Sequence, residues 1–219
     1  GMLPQEHEAV AGLITGNRSD QAWHSKKAEV DFFDLKGVVE GLFDGLMIRS
    51  PVFEKIEDQS EPFYQNGYAA VVRCGNTVVG TLGKIDSKVL KNYGLKQDAF
   101  VFDFRLDAIQ ALVPDSIQAG QLPRFPSISR DITVIVDQAV TVGSILDKVA
   151  EVTRKDALVE QVFLFDAYEG ESLAEGKKSL SFRAVYRSAT KTLKEKNIQK
   201  LHARISSAVI DGFNASLPD

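Results

Sequence analysis
The sequence contains a single cysteine, Cys74, among 219 residues. An intrachain disulfide is excluded, and a reducing compartment is the natural expectation. Only three histidines occur, His7, His24 and His202, and they stand far apart. With the one cysteine at no ligand spacing from them, no metal site is expected. No run of 18 or more apolar residues occurs, so no membrane-spanning helix is expected. The opening residues, Gly1-Met2-Leu3-Pro4-Gln5-Glu6-His7-Glu8, lack the basic and apolar regions of a signal peptide, and Gly1 ahead of Met2 reads as the scar of a cleaved tag. Gly75, Gly80 and Gly83 suit a hairpin rather than a phosphate-binding loop, and no Gly-x-Ser-x-Gly elbow occurs. Asp31/Asp34 and Asp103/Asp107 read as polar edges of their elements. His24 beside Trp23 reads as a packed surface pair. No catalytic residue is expected.

What is present is ordinary for a globular chain: 44% apolar and 26% charged residues. The length suits one large or two modest domains. Three prolines and a glycine fall between Pro114 and Pro126, which marks a linker, and the expected domains are 1–122 and 123–219. The overall charge of −4 argues weakly against a nucleic-acid binder, but it is uneven. Residues 1–122 carry 12 basic and 17 acidic side chains, whereas 123–219 carry 14 and 13. Between Lys177 and Arg204 lie nine basic residues and one acid, Glu195. That excess suits phosphate, and a solvated helix face accounts for it as well.

The first part mixes helix and antiparallel strand, which makes the class α+β. Ala11 to Thr15 reads as a strand. Asp31 to Leu46 reads as a helix buried along Phe33, Val38, Leu42 and Leu46, with Phe32, Leu35, Val39 and Phe43 widening the stripe. Tyr68–Arg73 and Thr77–Ile85 read as a hairpin around Cys74-Gly75-Asn76. Ser87–Tyr93 reads as a short helix and Phe100–Leu106 as a strand.

The second part reads β-α-β-β-α, with Ser216-Leu217 left for a closing strand: the ferredoxin-like split βαβ order. Its strands are Asp131–Val136, Leu158–Tyr168 and Ser179–Arg187. Thr141 is an N-cap for a helix to Val152. Thr192 and Glu195 fit a capping box, opening a helix that buries Ile198, Leu201, Ile205 and Val209. Helices in this arrangement cover one sheet face. Period-two alternation turns Ile132, Val134, Val136, Phe163, Phe165, Leu180, Phe182 and Ala184 inward. It turns Asp131, Thr133, Ile135, Leu164, Asp166, Tyr168, Ser179, Ser181 and Arg183 outward. A β-bulge would reverse that parity. A ring, hydroxyls, a carboxylate and a guanidinium on one open face suit a splayed-out base. The plainer alternative is that Tyr168 plugs a loop and Asp166 caps a turn.

Several strings add up to a family. Asp31-Phe32-Phe33-Asp34-Leu35-Lys36-Gly37, preceded by Ile14-Thr15-Gly16 and Trp23, resembles the class II-like module of bacterial phenylalanyl-tRNA synthetase beta chains. Phe125-Pro126-Ser127-Ile128-Ser129-Arg130-Asp131-Ile132 resembles the opening of that chain's C-terminal ferredoxin-fold anticodon-binding domain. Phe165-Asp166-Ala167-Tyr168-Glu169-Gly170, Glu175-Gly176-Lys177-Lys178-Ser179-Leu180-Ser181-Phe182, Tyr186-Arg187 and Thr192-Leu193 resemble its remainder. Gln65-Asn66-Gly67-Tyr68-Ala69 departs from the family's His-Pro-Gly-Arg-like string.

The resemblance implies a C-terminal fragment of such a chain, cytoplasmic and bound to no membrane. It implies that Tyr168 stacks on an anticodon base of tRNA(Phe), with Asp166 and Ser179 on the base edge and Thr133 and Arg183 beside them. Lys177, Lys178, Arg187 and Lys191 are the candidate phosphate contacts. The upstream module is implied to be an inactive, class II synthetase-like fold that packs against the catalytic alpha chain in an α2β2 heterotetramer. ATP, Mg and the amino acid belong to the alpha chain, so no cofactor is expected in this fragment. Two other functions stay open on the residues: a small-molecule (amino-acid) sensing ferredoxin-like domain, for which Val140-Thr141-Val142-Gly143 is the only candidate turn, and a purely structural packing module.

Overall fold
The structure is a computed structural model that describes residues 6–20, 22–23, 27–49, 51–56, 61–117, 119–120, 122–170 and 172–218. The chain divides into two compact units, Gly1–Ala119 and Gly120–Asp219. His24 lies outside the described residues.

The first unit is built on a five-stranded antiparallel sheet, order β1-β5-β4-β3-β2. Its strands are β1 (Ala9–Thr15), β2 (Pro51–Lys55), β3 (Tyr64–Cys74), β4 (Thr77–Ile85) and β5 (Ala99–Arg105). Helix α1 (Phe32–Gly45) lies against one face. Short helices α2 (Ser87–Asn92) and α3 (Leu106–Gln110) complete the unit. Asp31 caps α1: its carboxylate accepts from the Phe33 and Asp34 amides, and Asp34 accepts from the Asp31 amide at 2.8 Å. The helix buries Leu35, Val39 and Phe43 against Val72, Leu82 and Phe104. This corrects the expected stripe, because Phe33 is 74% and Val38 53% exposed. At about 100° per residue both lie some 100° or more from the centre of the buried stripe. The apolar face is simply wider than the sheet can cover. Phe43 stacks on Phe104, ring centroids 5.6 Å apart, and Phe104 on Phe102 at 4.8 Å. Cys74 is buried in this core, and burial pushes its thiol up, which leaves it a packing residue.

The second unit pairs β6 (Ile128–Asp137), β7 (Val159–Tyr168) and β8 (Lys177–Tyr186) in the order β6-β8-β7, all antiparallel. A single bridge, Ser216 to Ile135, adds the closing strand beside β6. Helices α4 (Val142–Thr153) and α5 (Glu195–Phe213) both pack on one side of the sheet. Thr141 caps α4 by accepting from the Ser144 amide at 3.2 Å. Ile145, Val149, Ile198, Leu201, Ile205 and Val209 meet Ile132, Val134, Val136, Leu180, Phe182 and Ala184. Tyr186 is fully buried, and its hydroxyl meets His202 Nδ1 at 2.9 Å.

The expected capping box at Thr192 does not form. The N-cap falls two residues later, at Lys194, whose amide donates to Asn197 Oδ1 at 2.9 Å. Glu195 is ion-paired with Arg130, Leu193 is buried, and Lys194 is extended rather than helical. Among the described residues no helix is long and apolar enough to cross a membrane.

Candidate nucleic-acid interface
Because α4 and α5 share one side of the three-stranded sheet, the other side is clear of the unit's own helices. Central strand β8 fixes its geography. Ser179, Ser181 and Arg183 alternate with the buried Leu180, Phe182 and Ala184. On β6, Asp131 pairs with Arg183, Thr133 with Ser181 and Ile135 with Ser179. On β7, Phe163 pairs with Arg183, Asp166 with Ser181 and Tyr168 with Ser179.

The β7 register carries a correction. The expected parity put Phe163 and Phe165 inward and Leu164 outward. Instead Leu164 pairs with Phe182 and packs on the core, while Phe165 is 46% exposed. A register shift between Leu164 and Asp166 inserts one residue and resets the alternation. Asp166 and Tyr168 therefore stay on the open face, although the strand preceding them is turned the other way. Phe163 and Phe165 join them there.

Tyr168 is 45% exposed. Its hydroxyl accepts from Ser172 Oγ at 3.2 Å. The phenol leans over Gly170, where an added Cβ would sit 2.3 Å from the Tyr168 oxygen. The missing side chain at Gly170 thus makes room for the ring. Tyr168 and Ser179 are direct cross-strand partners, so their Cβ atoms lie about 5 Å apart. Asp166 is one pleat along. Among the described residues nothing hydrogen-bonds the Asp166 carboxylate or the Ser179 hydroxyl. Both are available to a ligand.

Thr133 and Arg183 are committed differently. Thr133 shares a 3.0 Å hydrogen bond with Ser181, which stands between it and Asp166. Arg183 donates Nε and Nη2 to the two Asp131 oxygens at 2.7 and 2.8 Å. These hydrogen bonds hold the Asp131 carboxyl below its ordinary range. The Arg183 guanidinium lies over the Phe165 ring, 4.8 Å from its centroid.

The four cations expected at phosphate do not converge. Lys177 shares the face and the end of β8 with Tyr168, and pairs with Asp137 at 2.7 Å. Lys178 is one residue on, turned to the helix side, with Nζ on the Gln138 carbonyl at 2.9 Å. Arg187 and Lys191 follow the opposite end of β8, about 30 Å away along the strand. There Arg187 donates to Glu160 and to the Phe125 carbonyl at 2.8 Å. The linear basic excess is also partly neutralised in three dimensions. Lys177, Arg183, Arg187 and Arg204 pair with Asp137, Asp131, Glu160 and Asp156, all outside the basic stretch. Sequence reasoning missed Phe165, whose signal was hidden by the bulge. Among the described residues no group of three or more His, Cys, Asp or Glu could hold a metal ion.

Residues 123–218 match the model of the ferredoxin-fold anticodon binding domain, and residues 1–106 that of the phenylalanyl tRNA synthetase beta chain CLM domain. The chain belongs to the phenylalanine–tRNA ligase beta-subunit family. Curated relatives carry that name. The Desulfotalea psychrophila protein is 36% identical over 225 residues, covering 99% of this chain and 27% of its own length. The Syntrophotalea carbinolica protein is 35% identical, covering 99% and 26%. The Bacillus subtilis protein is 33% identical, covering 98% and 26%. The chain thus spans about a quarter of the length of these beta subunits. The family match agrees with the geometry in one respect: the sheet of the anticodon-binding part has its helices on one side only.

Proposed function
We propose that residues 123–219 form the domain that receives the anticodon loop of tRNA(Phe) on the open sheet face, and that residues 1–122 form an inactive, class II synthetase-like module that packs against a catalytic alpha chain. In this reading the parent assembly is a cytoplasmic α2β2 heterotetramer. The alpha chain supplies the chemistry with ATP, Mg and phenylalanine, and this chain contributes binding and orientation. Tyr168 stacks on an unpaired anticodon base. Asp166 accepts from that base's edge, Ser179 donates to it or accepts from it, and Thr133 and Arg183 flank them. Lys177 is the phosphate contact nearest the stack, whereas Lys178, on the helix side, and Arg187 and Lys191, beyond the far end of β8, lie away from it. One observation carries the reading: a half-exposed ring stands opposite a free hydroxyl and one pleat from a free carboxylate, on the side of the sheet that α4 and α5 leave clear. Phe33 and Val38, exposed on α1, are available to a partner of the first unit.

The test is a titration of the chain with an anticodon-arm hairpin bearing the phenylalanine anticodon, against the same hairpin with that triplet scrambled. The reading expects tighter binding of the cognate arm, and a loss of about 1–3 kcal/mol in Tyr168→Ala with the melting temperature unchanged. Equal affinity for both arms, with Tyr168→Ala unaltered, would leave the sheet face idle and the purely structural alternative standing.

A further inference from the structure
Phe165 stands outside the Tyr168 site, and Arg183, which only flanks that site, is bound up with Phe165. The Phe165 ring is half exposed on the open face, and the Arg183 guanidinium covers it at 4.8 Å. Two of the guanidinium nitrogens are anchored on Asp131. The third, Nη1, has no described partner. The anchoring carboxylate cancels the charge locally and fixes the plane, while about two-fifths of the Arg183 side chain stays open to solvent. A flat, charge-compensated, pre-oriented guanidinium backed by an aromatic ring is poorly suited to gripping a phosphate. It is well suited to receiving the face of a heterocycle, with Nη1 left to donate in the guanidinium plane to an acceptor beside the stack.

We infer that the Phe165–Arg183–Asp131 layer is a second base-stacking subsite, which takes another unpaired nucleotide of the same RNA loop that places a base on Tyr168. This rests on the function proposed above. Phe165 and Tyr168 are three residues apart on β7, about 10 Å, the reach of some three stacked nucleotides at 3.4 Å each. One loop can therefore occupy both. Arg183 acts here as a plane rather than as a point charge, and that distinction is measurable. Replacing it with lysine keeps the charge and removes the plane. Replacing Phe165 with leucine keeps apolar bulk and leaves the Arg183–Asp131 pair intact.

The experiment titrates the full chain with the anticodon-arm hairpin over a series of salt concentrations, using wild type, Phe165→Leu, Arg183→Lys and Tyr168→Ala. A second set of hairpins carries 2-aminopurine at each loop position in turn. The inference expects Phe165→Leu and Arg183→Lys each to weaken binding about fivefold or more, with the slope of log K against log salt unchanged. It expects wild type to quench 2-aminopurine at two loop positions, with Phe165→Leu restoring fluorescence at one and Tyr168→Ala at the other. Wild-type affinity in Phe165→Leu, or full affinity in Arg183→Lys, would overturn the second subsite. If Tyr168→Ala alone weakens binding, only this inference fails. If Tyr168→Ala is also silent, the anticodon-docking reading fails with it.

Discussion
Both units bury some aromatic residues and expose others, but they set the exposed ones in different surroundings. In the first, Phe43, Phe100, Phe102 and Phe104 are buried between α1 and the five-stranded sheet, and the exposed apolar residues Phe33 and Val38 sit on the outside of a helix. In the second, the core is largely aliphatic, and Phe165 and Tyr168 stand half exposed on a sheet among Asp166, Ser179 and Arg183. Exposed apolar side chains on a helix exterior offer area without polar direction, which suits a protein partner. Rings framed by hydroxyls, a carboxylate and a guanidinium offer both a stacking surface and edge contacts, which suit a nucleobase.

The contrast can be broken most forcefully at Gly80. A Cβ there would fall 2.0 Å from the Asp103 carbonyl oxygen of β5. Gly80→Ala should destabilise the first unit by on the order of 3 kcal/mol, because the obstacle is backbone that cannot swing away. Hydrogen exchange should show lost protection on β4 and β5, with β6 and β8 still protected. Equal loss in both units would mean that the two do not hold their cores independently.

A smaller effect separates the helix ends. α1 ends with Met47 at φ 59 and a bond from the Ile48 amide to the Phe43 carbonyl at 2.9 Å. α5 ends in the same way, with Asn214 at φ 47 and the Ala215 amide on the Ile210 carbonyl at 2.9 Å. Asparagine adopts this left-handed conformation at less cost than methionine. Met47→Gly should stabilise the first unit by about 1 kcal/mol, and Asn214→Gly should change the second by less. Thermal melts of the two variants check this, and the reverse order would contradict it.

The smallest expected effect is in pH. Burial, then the nearby Arg130, lowers the His202 pKa, while Asp131 and Glu195 oppose the shift. A histidine with a lower pKa folded than unfolded stabilises the fold above its unfolded value, about 6.5, and that stability is lost as pH falls toward the folded value. Denaturant unfolding at pH 8 and pH 5.5 should therefore show a fall in the second unit that His202→Gln removes. The first unit should respond only at the lower pH where Asp34 and Asp107 titrate, since both are held below their ordinary range.

Much of this architecture is legible in the sequence for local reasons. Thr141 and the stripe through Ile145 and Val149 specify α4, and Asp31 with Asp34 specifies the start of α1. What escaped reading depends on distant partners. α1 carries apolar residues on more than one side, and only the packed sheet selects Leu35, Val39 and Phe43. Period-two reasoning holds on β6 and β8 but fails on β7, because the inserted residue between Leu164 and Asp166 has no local signature. The outward positions of Asp166 and Tyr168 were read from an alternation the bulge interrupts, so they agree with the structure only from Asp166 onward. The basic stretch looked uncompensated because Asp131, Asp137, Asp156 and Glu160 lie far away in the chain.

The most direct test is a map of chemical-shift changes in the isotope-labelled chain on adding the cognate anticodon arm. The account predicts changes concentrated at Asp166, Tyr168, Ser179 and Arg183, with the outer faces of α4 and α5 silent. Changes centred on those helices, or spread evenly over both units, would contradict it.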